Sequence, residues 1–222
     1  MMTPKERMIT ALNRKIPDRV PTFELEFQLA DELMGRDFLH EEDMKNDSPK
    51  ERERKLAENA EYLLQVYERL EHDAICIQYL SEASTIETIR RLRQLSGDRY
   101  MLLAHGDGTF AIPDGAELEE FVYKIADEPE EVHREARAMC DQAIAHDRKL
   151  LDAGLDGFIL CSDYCFNQGP FLSPKMFAEF IAPYLAEIIA AIRKEGGYAI
   201  KHTDGNIMPI IDQLVDANPH AL

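Results

Sequence analysis

Tyr198-Ala199-Ile200-Lys201-His202-Thr203-Asp204-Gly205-Asn206 decides the fold, because an apolar strand there runs into a histidine, an acid and a glycine turn. Successive side chains of a strand alternate faces, so a strand carried through this stretch puts His202 and Asp204 on one side, with Cα atoms roughly 6.5–7 Å apart. Upstream, Asp156-Gly157-Phe158-Ile159-Leu160-Cys161 reads as a second buried strand that ends at Ser162 and Asp163. Polar groups set at consecutive strand ends are how a β/α protein builds a pocket. His202, Asp163 and Asp204 are therefore the candidate catalytic residues.

Working outward, Asp73 to Tyr79 and Tyr100 to Ala104 are two further short apolar runs suited to strands. Thr3-Pro4-Lys5-Glu6 and Ser48-Pro49-Lys50-Glu51 each offer an N-cap hydroxyl, a proline at the first helical position and a glutamate that completes a capping box. They predict helices over 4–14 and 49–71. Helices are also expected over 117–124 and 129–152, the second with Val132, Ala136, Met139, Cys140, Ala143 and Ile144 on one face. Ser173-Pro174 opens another, whose apolar face runs from Phe177 to Ile192. Pro183 interrupts that face and predicts a kink or break over 179–183, and Gly196-Gly197 stops it. Strand and long helix alternate from residue 129 on, the pattern of parallel βαβ units. No GxGxxG or GxxxxGKS/T follows a strand, so a barrel is expected over a nucleotide-binding open sheet.

The 222 residues carry a formal charge of −17, which repels nucleic acid and anionic membrane surfaces and leaves a small molecule as the expected substrate. The N-terminal residues lack the apolar core of a signal peptide and no run reaches membrane-spanning length, so a cytoplasmic location is expected. The four cysteines are few and irregularly spaced, which fits reduced thiols, and the Cys161/Cys165 spacing reads as packing.

Three blocks in this order carry a resemblance. They are Thr3 to Arg7 running through Ala11-Leu12 to Pro17-Asp18-Arg19-Val20-Pro21; Asp163 followed by Ser173-Pro174, Phe177, Phe180 and Pro183; and Lys201-His202 through Gly205-Asn206 to Pro209. Together they resemble the uroporphyrinogen decarboxylase superfamily, which includes cobalamin-dependent methyltransferases. The resemblance implies a TIM (β/α)8-type barrel with extra N-terminal helices and an active site at the carboxyl ends of the strands. A barrel of this kind takes roughly 250 residues. The expectation is therefore a single domain over 1–222, with a helical extension over 1–71 and a partial barrel over 72–222, incomplete in this chain. Unclosed strand edges favour association, so a homo-oligomer is expected.

Within that superfamily the decarboxylase branch carries an arginine-bearing segment soon after the opening helix, to neutralise substrate carboxylates. The corresponding stretch here, Pro21 to Ala30, has no arginine and carries Glu24 and Glu26. These two acids are either substrate-binding or an exposed strand face, and they disfavour a polyanionic tetrapyrrole. The methyltransferase branch implies zinc bound by a His-x-Cys pair and a later cysteine, together with a corrinoid-carrying partner protein. Here His202-Thr203-Asp204 puts a carboxylate in the cysteine's place, so His202 and Asp204 are the candidate metal ligands. The alternative is a general acid/base pair. His105, beside Gly106, is a further candidate for the same pocket. Asn206 is a candidate substrate contact that also suits the N-cap of a helix starting near Ile207. The expected activity is corrinoid-linked methyl transfer; uroporphyrinogen decarboxylation and a catalytically silent binding fragment remain the alternatives.

Overall fold

The computed structural model describes all 222 residues. In chain order the elements are α1 (Pro4–Leu12), α2 (Ala30–Met34), a 3-10 turn (Glu41–Met44), α3 (Pro49–Arg69), β1 (Ala74–Ile77), α4 (Glu82–Ser96), β2 (Met101–Gly106), α5 (Gly115–Asp127), α6 (Pro129–Asp152), β3 (Gly157–Leu160), β4 (Cys165–Phe166), β5 (Gly169–Pro170), α7 (Pro174–Phe180), α8 (Ala182–Lys194), β6 (Tyr198–Lys201), a second 3-10 turn (Met208–Ile210) and α9 (Ile211–Asp216). The fold is mixed α/β. Four strands form a parallel sheet in the order β1-β2-β3-β6, flanked by helices, the arrangement of an incomplete (β/α)8 barrel. Ala221 adds a parallel bridge to Ile200 beyond β6. No helix is long and apolar enough to cross a membrane, and none of the four cysteines forms a disulfide.

The chain divides into two compact units, one made of Met1–His105 with Lys149–Gly157 and the other of Gly106–Arg148 with Phe158–Leu222. In the first unit, both predicted capping boxes form, at Thr3 and at Ser48. The long helix α3 buries Leu56, Asn59, Ala60, Leu63, Val66 and Tyr67, one stripe at steps of three and four, and packs on α4 and β1. Strands β1 and β2 pair in parallel from Ala74↔Met101 to Ile77↔Ala104.

Helix α4 was not foreseen in the sequence. Its buried face is Ser84, Thr85, Thr88, Ile89 and Leu92, so hydroxyl-bearing residues occupy positions where an apolar period would have announced a helix. Ser81 caps it, accepting the Ser84 N–H.

The opening residues converge on one buried acid. Asp73 is fully buried at the start of β1. It accepts from Arg7 Nη1, from the Thr22 N–H at 2.8 Å and from Arg19 Nη1 at 2.9 Å. Arg7 also grips Asp18, with Nε to Oδ1 at 2.6 Å, which pulls the Asp18 carboxyl down to about 2. The motif residues Arg7, Asp18 and Arg19 thus fasten the N-terminal helix and the turn after it to β1. Asp156, entering β3, is held similarly by Lys5 at 2.7 Å and Arg93 at 2.5 Å, and accepts the Leu102 N–H at 2.7 Å.

In the second unit the Pro183 break appears as expected. Helix α7 ends at Phe180, Ile181 takes φ −123° and ψ −56°, and α8 restarts with Pro183 in its first turn. Phe177, Phe180, Ile181, Tyr184, Leu185, Ile188, Ile189 and Ile192 are all buried, as their spacing predicted.

Arg7→Met leaves Asp73 buried with part of its partner set gone. Chemical denaturation is expected to show a loss of about 3 kcal/mol, the low end for a broken buried pair, because Arg19 and the Thr22 N–H remain.

Candidate functional site

Asp163, His202 and Asp204 meet within the second unit. One ligand-capable atom from each lies within 4.8 Å of the others. His202 Nε2 is 3.8 Å from Asp163 Oδ1 and 3.7 Å from Asp204 Oδ1. His202 and Asp163 are half-buried, while the Asp204 side chain is 78% exposed, so the cluster sits at the solvent boundary.

The route to this geometry differs from the one read in the sequence. Strand β6 ends at Lys201, and His202 to Asp204 lie in the loop beyond it. Strand alternation therefore does not set the approach of His202 and Asp204; a set of loop hydrogen bonds does. His202 N–H donates to Leu160 O at 2.9 Å, and Thr203 Oγ1 accepts the Tyr164 N–H at 2.9 Å. Asp163 Oδ1 accepts the Asp204 N–H at 2.9 Å.

Beneath the loop lies the β4/β5 hairpin, with Cys165 opposite Pro170 and Phe166 opposite Gly169. Gly205 turns over it at φ +81°. A Cβ there would fall 2.3 Å from Cys165 O, so position 205 accepts no side chain on either count. Asn206 N–H donates to Phe166 O at 2.9 Å, and Asn206 Oδ1 accepts the Met208 N–H at 3.2 Å. Asn206, the predicted cap, braces the turn one residue before the observed one: Ile207 occupies the N-cap position of the 3-10 turn, and α9 starts only at Ile211.

The remaining candidates belong to the first unit. Glu24 and Glu26 are both exposed, while Phe23, Leu25 and Phe27 between and beside them are half-buried; this alternation occurs with no strand pairing. Glu26 accepts from Gln28 Nε2 at 2.9 Å. His105 Nε2 lies 3.0 Å from Leu25 O, which occupies that ring nitrogen.

Two buried ionisable residues of the second unit are not among the sequence-predicted site residues. Lys201, with a fully buried side chain, spends all three ammonium donors, on Asp107 Oδ2 at 3.0 Å, Leu160 O at 3.0 Å and Ser162 O at 2.8 Å. The ammonium also stands 4.2 Å from the Tyr164 ring centroid. Burial lowers the Lys201 pKa, and the Asp107 carboxylate opposes that. Asp107 Oδ1 meanwhile accepts from Gly108 N at 2.8 Å, Thr109 N at 3.1 Å and Thr109 Oγ1 at 2.7 Å.

Asp147 is the second residue. It is 2% exposed and neither carboxyl oxygen has a partner. The signal for it was present: the buried stripe of α6, Ala136, Cys140, Ala143, runs on at steps of four and three to Asp147 and Leu150. Gly108 packs against this helix so closely that a Cβ there would meet Ala143 Cβ at 2.5 Å and Met139 O at 2.7 Å. Burial, and then the charge of Asp107, push the Asp147 carboxyl up to about 7.

The profile of the uroporphyrinogen decarboxylase (URO-D) family matches residues 82–222. The chain belongs to the URO-D family. That match spans β2, β3, β6 and every residue of the Asp163–His202–Asp204 cluster. Among solved structures, a methyltransferase from Methanosarcina mazei superposes with a TM-score of 0.74 at 15% identity, over 99% of this chain and 75% of the other. At that identity the likeness speaks for a shared fold alone. No curated protein matches the sequence.

The raised carboxyl of Asp147 has a pH consequence. A folded-state value above the unfolded one means the folded protein holds a proton the unfolded chain has lost, so stability falls as pH rises between the two values. In Asp147→Asn that penalty is absent. Its stability advantage over the wild type is expected to grow by about 1.4 kcal/mol per pH unit from near pH 4 to about 7 and to stay level above, as read by denaturation at stepped pH.

Proposed function

We propose that this URO-D family chain takes part in corrinoid-linked methyl transfer, with Asp163, His202 and Asp204 handling the acceptor. The observation that carries the reading is the convergence of one imidazole nitrogen and two carboxylate oxygens within 4.8 Å at the carboxyl end of adjoining strands. The fold it shares with a methyltransferase from Methanosarcina mazei is in keeping with it.

The donor set fits a divalent cation of borderline softness. A nitrogen and two oxygens are ligand types that zinc accepts, and three protein ligands leave a position open for substrate. His202 through Nε2 and Asp163 and Asp204 through Oδ1 would hold it. When bound, such an ion supplies a Lewis acid that lowers the pKa of an acceptor hydroxyl or thiol.

The chain's own groups account for the rest. The His202 N–H bond to Leu160 O and the Asp204 N–H bond to Asp163 Oδ1 fix the spacing of the donors. Asp204, the most solvated of the three, takes the acceptor's proton at Oδ2 and releases it to water. The acceptor then forms its bond to the methyl carbon while the donor's bond to that carbon breaks, the electron pair leaving with the donor. A small hydroxyl or thiol compound as acceptor and a methyl-bearing corrinoid carried by a partner protein as donor are the reactants this reading requires, with the O- or S-methyl compound as product.

Decarboxylation of a porphyrinogen is disfavoured on charge. Its substrate is a polyanion, the protein carries −17, and the segment from Pro21 to Ala30 exposes Glu24 and Glu26 with no arginine.

Titration of the full chain with cobalt(II), read by its visible absorption, and with zinc(II), read by competition, is expected to give one site per chain. His202→Ala and Asp163→Asn are each expected to weaken it by about 100-fold, at the upper end of what loss of a metal-site group costs. Retention of less than about a tenth of an equivalent by the wild type after desalting removes the metal from the proposal. Carbon dioxide release from a porphyrinogen would reverse the choice of branch.

A further inference from the structure

Lys201 precedes His202 directly, yet its side chain points away from solvent and into the floor of the site. Its ammonium joins three separate chain segments of the second unit: the Leu160 and Ser162 carbonyls at the end of β3, the Asp107 carboxylate just past β2, and its own strand β6. The residue after Ser162 is Asp163, and the residue after Lys201 is His202. One buried cation thus fixes the backbone immediately before two members of the cluster.

The lock is redundant by design of its contacts. Leu160 O accepts twice, from Lys201 Nζ at 3.0 Å and from the His202 N–H at 2.9 Å, which uses both lone pairs of that carbonyl. Asp107 Oδ2 accepts from Lys201 and from the Ser162 N–H at 3.1 Å, so the same carboxylate holds the β3 loop from its other side. Tyr164 lies under the ammonium with its hydroxyl 2.6 Å from Thr109 Oγ1, and its N–H ends on Thr203 Oγ1. Lys201 Nζ, Asp107 Oδ2, the Tyr164 hydroxyl and the Tyr164 N–H are each paired across segments.

We propose that Lys201 is a positioning residue: its buried ammonium sets the separation of Asp163 from His202 by tying the end of β3 to the end of β6 and to Asp107. The inference rests on the reading that Asp163, His202 and Asp204 form the working cluster. Its own content, that a lysine with no access to substrate sets the spacing of that cluster, is separate from which chemistry the cluster performs.

The test compares Lys201→Met with the double variant Lys201→Met/Asp107→Asn. The single variant strands the Asp107 charge and is expected to unfold more readily; the double variant removes that charge and separates positioning from stability. In the double variant at matched stability, amide hydrogen exchange by NMR is expected to speed up about tenfold or more at His202 and Tyr164, with Leu185 and Ile189 in α8 unchanged. Cobalt(II) affinity is expected to fall about 10- to 100-fold, as for loss of a supporting group.

Wild-type exchange rates at His202 and Tyr164 in the double variant overturn the proposal, whatever the metal result. Faster exchange there, in a protein whose wild type binds no cobalt, upholds the positioning role and sinks the metal reading alone. Should neither Lys201 variant fold, Asp107→Asn compares the amides of Ser162 and His202. It keeps the two carbonyl ties, so Ser162 is expected to open while His202 stays protected, and equal opening of both overturns the proposal.

Discussion

A charged ammonium taken fully out of water is the constraint around which the second unit is arranged. Isolated burial of such an ion costs several kcal/mol, which only close, well-aimed acceptors offset. Lys201 meets that demand with a carboxylate just past β2 and with two carbonyls and an aromatic face from the end of β3 and the loop after it. An apolar pair of similar volume in place of both Lys201 and Asp107 would serve stability about as well. It would not specify distances between carbonyls, and specified distances are what a site of three converging polar groups needs.

The acids of this protein divide by strand end. Asp73 and Asp156 stand where β1 and β3 begin, and each gathers two cations together with a backbone N–H. Those at the carboxyl ends, Asp107 and Asp163, organise loops: Asp107 through Lys201 with backbone and hydroxyl donors, and Asp163 through the Asp204 N–H. In β/α barrels the amino ends of the strands serve stability and the carboxyl ends serve chemistry. The opening motif, Arg7 with Asp18 and Arg19, is accordingly a fastening for β1 rather than a substrate contact.

Much of this was legible in the order of residues, and the parts that were not have physical reasons. Capping boxes at Thr3 and Ser48 and the proline break before Ala182 are local signals, decided within a turn of helix, and they appear where expected. Helix α4 hides because hydroxyl side chains fill its buried face. The hairpin of β4 and β5 has two residues per strand, too few to show any alternation. His202, Asp163 and Asp204 could be named from strand-end position alone, but the strand stops one residue before His202, so their meeting depends on loop bonds between distant segments. Lys201 stands in a quoted motif and Asp147 on the buried stripe of α6, yet the burial of both is hidden for a shared reason: charged residues are read as surface unless a partner is known, and the partner of Lys201 lies 94 positions away.

Gly205 limits how this loop can change. With its α-carbon pressed on the carbonyls of Cys165 and Phe166, the position rejects every substitution, and the hairpin below cannot retreat without releasing Asn206 as well. Point replacement at 205 is therefore a closed route to a new backbone path after His202. Descendants of this chain that acquire a different specificity must lengthen the loop or alter the acids beside it, while the glycine hinge stays put.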